Sequence, residues 1–330
     1  MTAKGILLYS GGLDSLLTAK LLMDQGVELT GLHFILPFYP PDFDINTLSA
    51  VKQAEQIGLK LEFYKCGKEY LEMLRNPLHG YGKNINPCID CKIFFIKKAA
   101  EYMIKYNADF VASGEVVGQR PMSQLKHTLK HIEKSTELKG RLLRPLSAKL
   151  LEPTFAEIEG KVDREKLLDI NGRGRKRQLE IAAGYGITDY SSPSGGCLFT
   201  DANIAARIQD IFDNETDINE TDIYSATLGR HYRTENKGKI IIARNERESR
   251  ELEKLKESAD CMFYPLFSGP TVFVKGKISK DDEVMITAFM AKYGKPEPGE
   301  KRVSMICREG KESTLYAREM DTESYNRFRI

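Results

Sequence analysis

The sequence predicts a doubly wound, mainly parallel α/β sheet followed by a second, smaller α/β domain. Short apolar runs alternate with helix-spaced segments through the first third, and a glycine turn joins the first run to the first helical segment. The composition, 41% hydrophobic and 29% charged, is that of an ordinary globular chain. Strands separated by helices pair in parallel through right-handed crossovers.

Gly5-Ile6-Leu7-Leu8-Tyr9 reads as a buried strand ending at Ser10-Gly11-Gly12. Leu16, Leu17, Leu21 and Leu22 then follow helical spacing up to Gly26. Val27 to Leu36 and Leu59 to Cys66 are the second and third strands, with a helix around Thr47 to Ile57 between them. A helix over Lys92 to Tyr106 leads into a fourth strand, Asp109 to Ser113. The charged stretch from Gly160 to Ile181 reads as helix with a break near Asn171-Gly172, and Thr188 to Thr200 as a loop carrying Cys197. A helix over Asp201 to Phe212 precedes an acidic, polar linker at Asn214 to Asn219, which divides the chain into domains 1–213 and 214–330. The second domain is expected to contain strands at 240–243 and 271–275, helices at 247–259 and 283–293, and a hairpin at 303–316.

No stretch reaches the ~18 uncharged apolar residues of a membrane span, and no secretory signal precedes the first strand, so a cytoplasmic protein without membrane contact is expected. A net charge of +2 does not by itself mark a nucleic-acid binder. In a reducing compartment the six cysteines are not expected to build a disulfide framework. Only Cys88 and Cys91 have ligand-like spacing; Cys66, Cys261 and Cys307 sit in apolar, strand-like surroundings and read as packing residues.

Ser10-Gly11-Gly12-Leu13-Asp14-Ser15 lies between the first strand and the first helix. Such a turn points backbone N–H groups and the positive end of a helix dipole at one spot, which favours an anion. The glycines let backbone approach a phosphate, and Ser10 and Ser15 add hydroxyl donors. Asp14 repels phosphate and suits a metal-bridging or positioning role. The competing reading is a tight turn with a serine cap. The Lys-Ser/Thr pair of a Walker A loop is missing, and the string is not the dinucleotide fingerprint.

This string resembles the pyrophosphate loop of the N-type (PP-loop) ATP pyrophosphatases, whose adenine nucleotide alpha-hydrolase-like fold and chemistry it implies. The expectation is cleavage of ATP between the α and β phosphates, with Mg²⁺, to give an adenylated substrate. Leu32-His33-Phe34 then matches the place where that superfamily contacts adenine through backbone; the plain alternative for His33 is a residue at a strand end. Ser113-Gly114-Glu115 resembles a Thr-Gly-His segment near the nucleotide, with Glu115 where histidine is usual, so Ser113 and Gly114 are the transferable positions.

Asn86-Pro87-Cys88-Ile89-Asp90-Cys91-Lys92 precedes a helix, and Gly195-Gly196-Cys197 follows about a hundred residues later. The pair resembles the tRNA 2-thiouridylases, in which a Pro-Asp-x-x-Cys-Asn stretch supplies one catalytic cysteine and a downstream loop the second; Cys91 and Cys197 match these. Cys88 stands where that family often has Asp. A C-x-x-C with one distant cysteine is instead similar to the iron–sulfur-dependent tRNA thiolases, which implies that Cys88, Cys91 and Cys197 ligate a [4Fe-4S] cluster. Thiolate suits such a cluster. Rival readings are a persulfide on Cys197 resolved by Cys91, and a zinc site with His79 as fourth ligand.

Gln119 and Arg120, in the polar loop Gly118 to Gln124, are candidates for gripping phosphate or the target nucleotide. Leu143-Arg144-Pro145-Leu146 is similar to a segment of 4-thiouridine synthetases. Lys126 and Lys130 lie in one basic run, and Arg173, Arg175, Lys176 and Arg177 form another. Clustered charge of this kind favours a phosphate backbone, although a solvated helix face explains a single run equally well. The C-terminal part resembles the RNA-associated NFACT-R domain; Arg230, His231 and Arg244 are either RNA contacts or surface charge. Together these imply an ATP-dependent tRNA sulfurtransferase, its sulfur supplied as inorganic sulfide or by a carrier linked to a cysteine desulfurase. Sulfur transfer to a small metabolite and a non-catalytic RNA-binding module are the alternatives.

Overall fold

A computed structural model describes residues 2–191, 197–295, 301–307, 310–317 and 322–330. The chain divides into two compact units, Met1–Leu36 with Phe43–Cys197, and Pro37–Asp42 with Leu198–Ile330. Among the described residues no helix is long and apolar enough to cross a membrane.

The first unit runs β1 (Lys4–Leu8), α1 (Leu13–Met23), β2 (Glu28–Ile35), α2 (Ser49–Glu55), β3 (Lys60–Lys65), α3 (Lys68–Arg75), α4 (Cys88–Lys105), β4 (Phe110–Ser113), α5 (Lys126–Ser135), β5 (Leu142–Leu143), α6 (Phe155–Ile158) and α7 (Lys176–Gly184). Its strands pair only in parallel, in the order β3-β2-β1-β4-β5. The first strand is therefore central, and the winding reverses beside it, which is where open α/β sheets leave a crevice at their carboxyl ends. Ile6 and Leu7 of β1 are enclosed on the two faces of the sheet, Leu7 with Leu13, Leu16 and Leu17 of α1, and Ile6 with Ile96 and Met103 of α4. Both faces are covered at β1 and β4, so these two strands read as apolar runs, whereas the edge strand β3 stays half-exposed.

Two parts of this unit differ from the sequence expectation. The α4 helix begins at Cys88, four residues before the predicted start, so both cysteines of the C-x-x-C lie in its first turn. The charged segment 160–181 is mostly irregular, with one turn of 3₁₀ helix at Arg164–Lys166 before α7. Gly160 and Gly172 take positive φ there (69° and 78°), and a chain that must enter the left-handed region twice does not continue a helix.

The second unit runs α8 (Ala202–Asn214), α9 (Glu220–Ser225), β6 (Arg230–Arg233), β7 (Lys239–Ile242), α10 (Glu246–Lys254), β8 (Cys261–Pro265), β9 (Val272–Lys275), α11 (Lys280–Tyr293), β10 (Arg302–Cys307) and β11 (Glu312–Tyr316). Its sheet has the order β11-β10-β8-β9-β7-β6 and is antiparallel throughout. Phe263, Val272, Ile286 and Phe289 lie in its core. β6 and β8 are additions to the sequence reading. Cys261 and Cys307 are direct partners across β8 and β10 and form a disulfide, not the packing pair expected from their surroundings. Forty-six residues separate them in sequence, and only the strand register brings them together.

Gly114, just after β4, rests on the backbone of the first helical turn. A Cβ there would lie 2.8 Å from the carbonyl carbon and oxygen of Asp14 and 2.9 Å from the Ser15 nitrogen. Gly174, by contrast, has nothing within 4 Å of a Cβ. Gly114→Ala is expected to destabilise by ~1–3 kcal/mol through overpacking, whereas Gly174→Ala should stay within about 0.5 kcal/mol. Urea midpoints at unchanged m-value measure both, and equal midpoints would show that the loop yields without cost.

Candidate active site

The parallel sheet sets one edge at which chemistry can gather. The Ser10–Ser15 loop leaves β1 at its carboxyl end, Cys66 follows β3, Ser113 ends β4, and α4 starts from that edge because it runs back against the strands. Within the loop, the Ser15 hydroxyl donates to the Gly12 carbonyl at 2.8 Å, and the Gly12 N–H donates to Ser10 Oγ at 3.3 Å. Gly11 has φ 75°, and a Cβ on it would press to 2.9 Å of the Ala50 Cα, so glycine is required twice over. No side chain caps α1 at Gly12, which leaves the amino end of the helix to an external anion.

Asp14 stands in the first turn of α1. Its Oδ2 accepts a hydrogen bond from Gln119 Nε2 at 3.0 Å and lies 3.7 Å from the Arg175 guanidinium. Asp14 Oδ1, Gln119 Oε1 and Arg175 Nε are all closed off from solvent without a hydrogen-bond partner among the described residues. Each such atom costs ~1–3 kcal/mol, so three on side chains that meet at Asp14 mark a place that a polar ligand or ion would satisfy. By sequence alone Arg175 belongs to a basic, RNA-facing run with Arg173, Lys176 and Arg177. The fold separates them: Arg175 turns in to Asp14, while Arg173, Lys176 and Arg177 stay exposed, Arg177 paired with Asp169. Arg120, Lys126 and Lys130 are exposed, Lys130 with Glu152 at 3.3 Å.

His33 donates from Nδ1 to the Tyr9 carbonyl at 3.1 Å, and burial lowers its pKa, so it remains neutral at pH 7. Phe34 packs at a tilt against Phe95 of α4, with 4.5 Å between ring centroids. Ser113 donates its hydroxyl to Glu115 Oε2 at 3.1 Å. Glu115 is wholly buried; burial opposes its charge, but Lys92 and then Arg144 outweigh that and hold its carboxyl below the usual range.

Cys88 and Cys91 sit three residues apart on one side of the first turn of α4. The Tyr70 hydroxyl, from α3, lies 3.2 Å from Cys91 Sγ. Burial pushes the Cys91 thiol up to about 12, against the Tyr70 hydrogen bond; Cys197 and Cys88 add to the rise and Lys92 opposes it. Cys197 is therefore within electrostatic reach of Cys91, and of Tyr70 as well. Cys66, read from sequence as packing, is buried at the same edge, where burial and Cys91 raise its pKa. Gly195 and Gly196 lie outside the described residues. Among the described residues, no three His, Cys, Asp or Glu side chains are gathered closely enough to hold a metal ion. His79 is engaged elsewhere: its Nδ1 is 2.9 Å from Asp90 Oδ1 and its Nε2 2.8 Å from His131 Nε2. That removes the fourth ligand on which the zinc reading rested. Nothing in the spacing of Tyr70 and Lys92 signals a role for them, and the apolar surroundings of Cys66 point only to packing. In the second unit His231 is wholly buried, with its Nε2 2.7 Å from the Leu228 carbonyl, so it is not an RNA contact.

Residues 1–149 match the family described as thiamine biosynthesis protein (ThiI), and residues 229–329 match the NFACT protein RNA binding domain. The chain resembles the PP-loop tRNA thiolation enzymes. A tRNA-specific 2-thiouridylase MnmA of Sulfurimonas denitrificans is 31% identical over 121 residues, 36% of either chain, and one of Methylobacillus flagellatus is 30% identical over 165 residues, 47% of this chain and 46% of its own. The chain thus spans less than half the length of these curated relatives. A solved 4-thiouridine synthetase–RNA complex with bound ATP is 19% identical at a TM-score of 0.35, covering 57% of this chain and 54% of its own. Beside the Pro-Asp-x-x-Cys-Asn and Thr-Gly-His patterns, this chain departs at Lys92 (for Asn) as well as at Glu115 (for His), and the two residues face each other at 3.4 Å.

In metal-free protein, the alkylation rate of Cys91 should keep rising about tenfold per pH unit through pH 9 and 10, because only the thiolate reacts and the thiol titrates near 12. Peptide-resolved mass spectrometry with iodoacetamide measures it. A plateau near pH 9 would show an unperturbed thiol.

Proposed function

We propose that this chain is an ATP-dependent tRNA sulfurtransferase, which adenylates a base carbonyl and replaces its oxygen with sulfur. The observation that carries the reading is that the phosphate loop and the thiol-bearing first turn of α4 share the carboxyl edge of one sheet. The NFACT-type domain and the thiouridylase relatives support tRNA as the substrate.

In the first step the β- and γ-phosphates of ATP rest on the N–H groups of the loop at the amino end of α1, with Ser10 and Ser15 as added donors. The carbonyl oxygen of the base attacks the α-phosphorus, and pyrophosphate leaves toward the loop. Mg²⁺ fits the unsatisfied Asp14 Oδ1 and would neutralise charge on the departing pyrophosphate. Gln119 and Arg175 hold Asp14 in place. Adenylation is needed because a carbonyl oxygen leaves poorly until it has become a phosphate ester. In the second step a sulfur nucleophile adds to the activated carbon and AMP departs.

Cys88, Cys91 and Cys197 suit a [4Fe-4S] cluster in donor type and number, and the high pKa of Cys91 is what a buried thiol shows before a metal replaces its proton. Such a cluster, with one iron lacking a protein ligand, would supply the sulfur nucleophile. Tyr70 would orient the Cys91 sulfur by its hydrogen bond. A second reading, favoured by the lack of a gathered three-ligand group among the described residues, has Cys197 carry a persulfide and Cys91 resolve it.

Purified protein should release pyrophosphate from ATP only when tRNA is present, and Asp14→Ala should slow this by about a hundredfold while tRNA binding persists. Release without tRNA would favour a small-molecule acceptor, and no release at all would leave an RNA-binding module. Anaerobically purified protein should contain iron and acid-labile sulfide that fall sharply in Cys88→Ala. Near-zero iron in the intact protein would remove the cluster and favour the persulfide.

A further inference from the structure

Glu115 is a wholly buried carboxylate that the proposed chemistry does not use. Its Oε2 accepts from Arg144 Nε and from the Ser113 hydroxyl, each at 3.1 Å. Arg144 in turn bonds Glu133 at 3.2 Å and is itself buried, so that side of Glu115 is fixed. The other oxygen, Oε1, has only the charge of Lys92 at 3.4 Å and no hydrogen bond. Lys92 is the residue after Cys91. Glu115 is also the residue after Gly114, which has no room for a single carbon against the Asp14–Ser15 peptide. One short chain of contacts thus runs from the phosphate loop to Gly114, Glu115, Lys92 and the Cys91 turn.

A close-packed glycine contact transmits displacement, because backbone atoms already in contact have no slack to absorb it. An ion pair without a hydrogen bond is the opposite: it can shorten by several tenths of an ångström and gain energy, here between a buried carboxylate and a half-buried ammonium. The loop end of this chain is therefore rigid and the Lys92 end adjustable.

We propose that Glu115 and Lys92 couple occupancy of the phosphate loop to the placement of the Cys91 thiol, Glu115 acting as a positioning residue. This rests on the reading that the loop binds ATP. When the loop closes on phosphates, the Asp14–Ser15 peptide carries Gly114 and Glu115 with it, and the Glu115 carboxylate draws the Lys92 ammonium and the first turn of α4. The thiol is thereby brought to bear only when a nucleotide is present, which protects the sulfur chemistry from idle turnover.

The test reads Cys91 labelling rather than turnover. Full-length protein without added metal is treated with iodoacetamide, with and without Mg²⁺ and α,β-methylene-ATP, and Cys91 modification is followed by peptide mass spectrometry. The analogue should change the Cys91 rate by about fivefold or more in the wild-type protein and in Lys92→Arg. It should leave the rate unchanged in Lys92→Met, with the dissociation constant of the analogue within about twofold in all three. Glu115→Gln, which keeps the side-chain shape, should behave as Lys92→Met does. Analogue bound normally with no change at Cys91 in wild type, or a full response in Lys92→Met, overturns the coupling alone. Failure of the wild-type protein to bind the analogue overturns the nucleotide reading and the coupling with it.

Discussion

Parallel pairing of β1 with both β2 and β4 is the constraint on which the rest of the first unit depends. It places the first strand in the middle of the sheet and turns the winding beside it. All strands then point their carboxyl ends the same way, and every loop that follows a strand must start from one edge. The phosphate loop, the end of β4 and the amino end of α4 meet there for topological reasons, before any side chain contributes.

Side chains refine that edge through burial. The orphaned atoms of Asp14, Gln119 and Arg175 carry a cost that a folded chain accepts only at a functional or strained place. Burial raises the Cys91 thiol further above neutral pH, which makes its thiolate scarcer than that of a free cysteine. Glu115 shows the reverse balance: although it is more deeply enclosed, two paired cations hold its carboxyl below the usual range. Their surroundings thus move the two groups in opposite directions, burial raising the thiol pKa and the paired cations lowering that of the carboxyl.

The second unit is built on a different principle. Antiparallel pairing allows short connections, and the central strand β7 is buried on both faces, Ile240 and Ile242 entering one core and Ile241 the other. His231 and the Cys261–Cys307 pair show how strongly register decides chemistry there. A one-residue slip would put His231 on the opposite face and part the two sulfurs.

Sequence by itself determined the layer architecture, the strand–glycine turn–helix at Ser10–Ser15 and the alternation of helices with strands, because apolar periodicity and a glycine turn are local signals. It also marked Cys88, Cys91 and Cys197 as one set, through spacing and resemblance. Tertiary structure decided the rest: that α4 starts at Cys88, that Arg175 leaves its basic run for Asp14, that Tyr70 reaches Cys91, and that Cys261 meets Cys307. None of these has a local signal, since each joins residues whose nearness comes from packing and strand register. The charged segment 160–181 misled for the same reason, its composition favouring helix while its glycines carry the chain around the first unit. Local periodicity names the elements; only the fold says which side chains face each other across them.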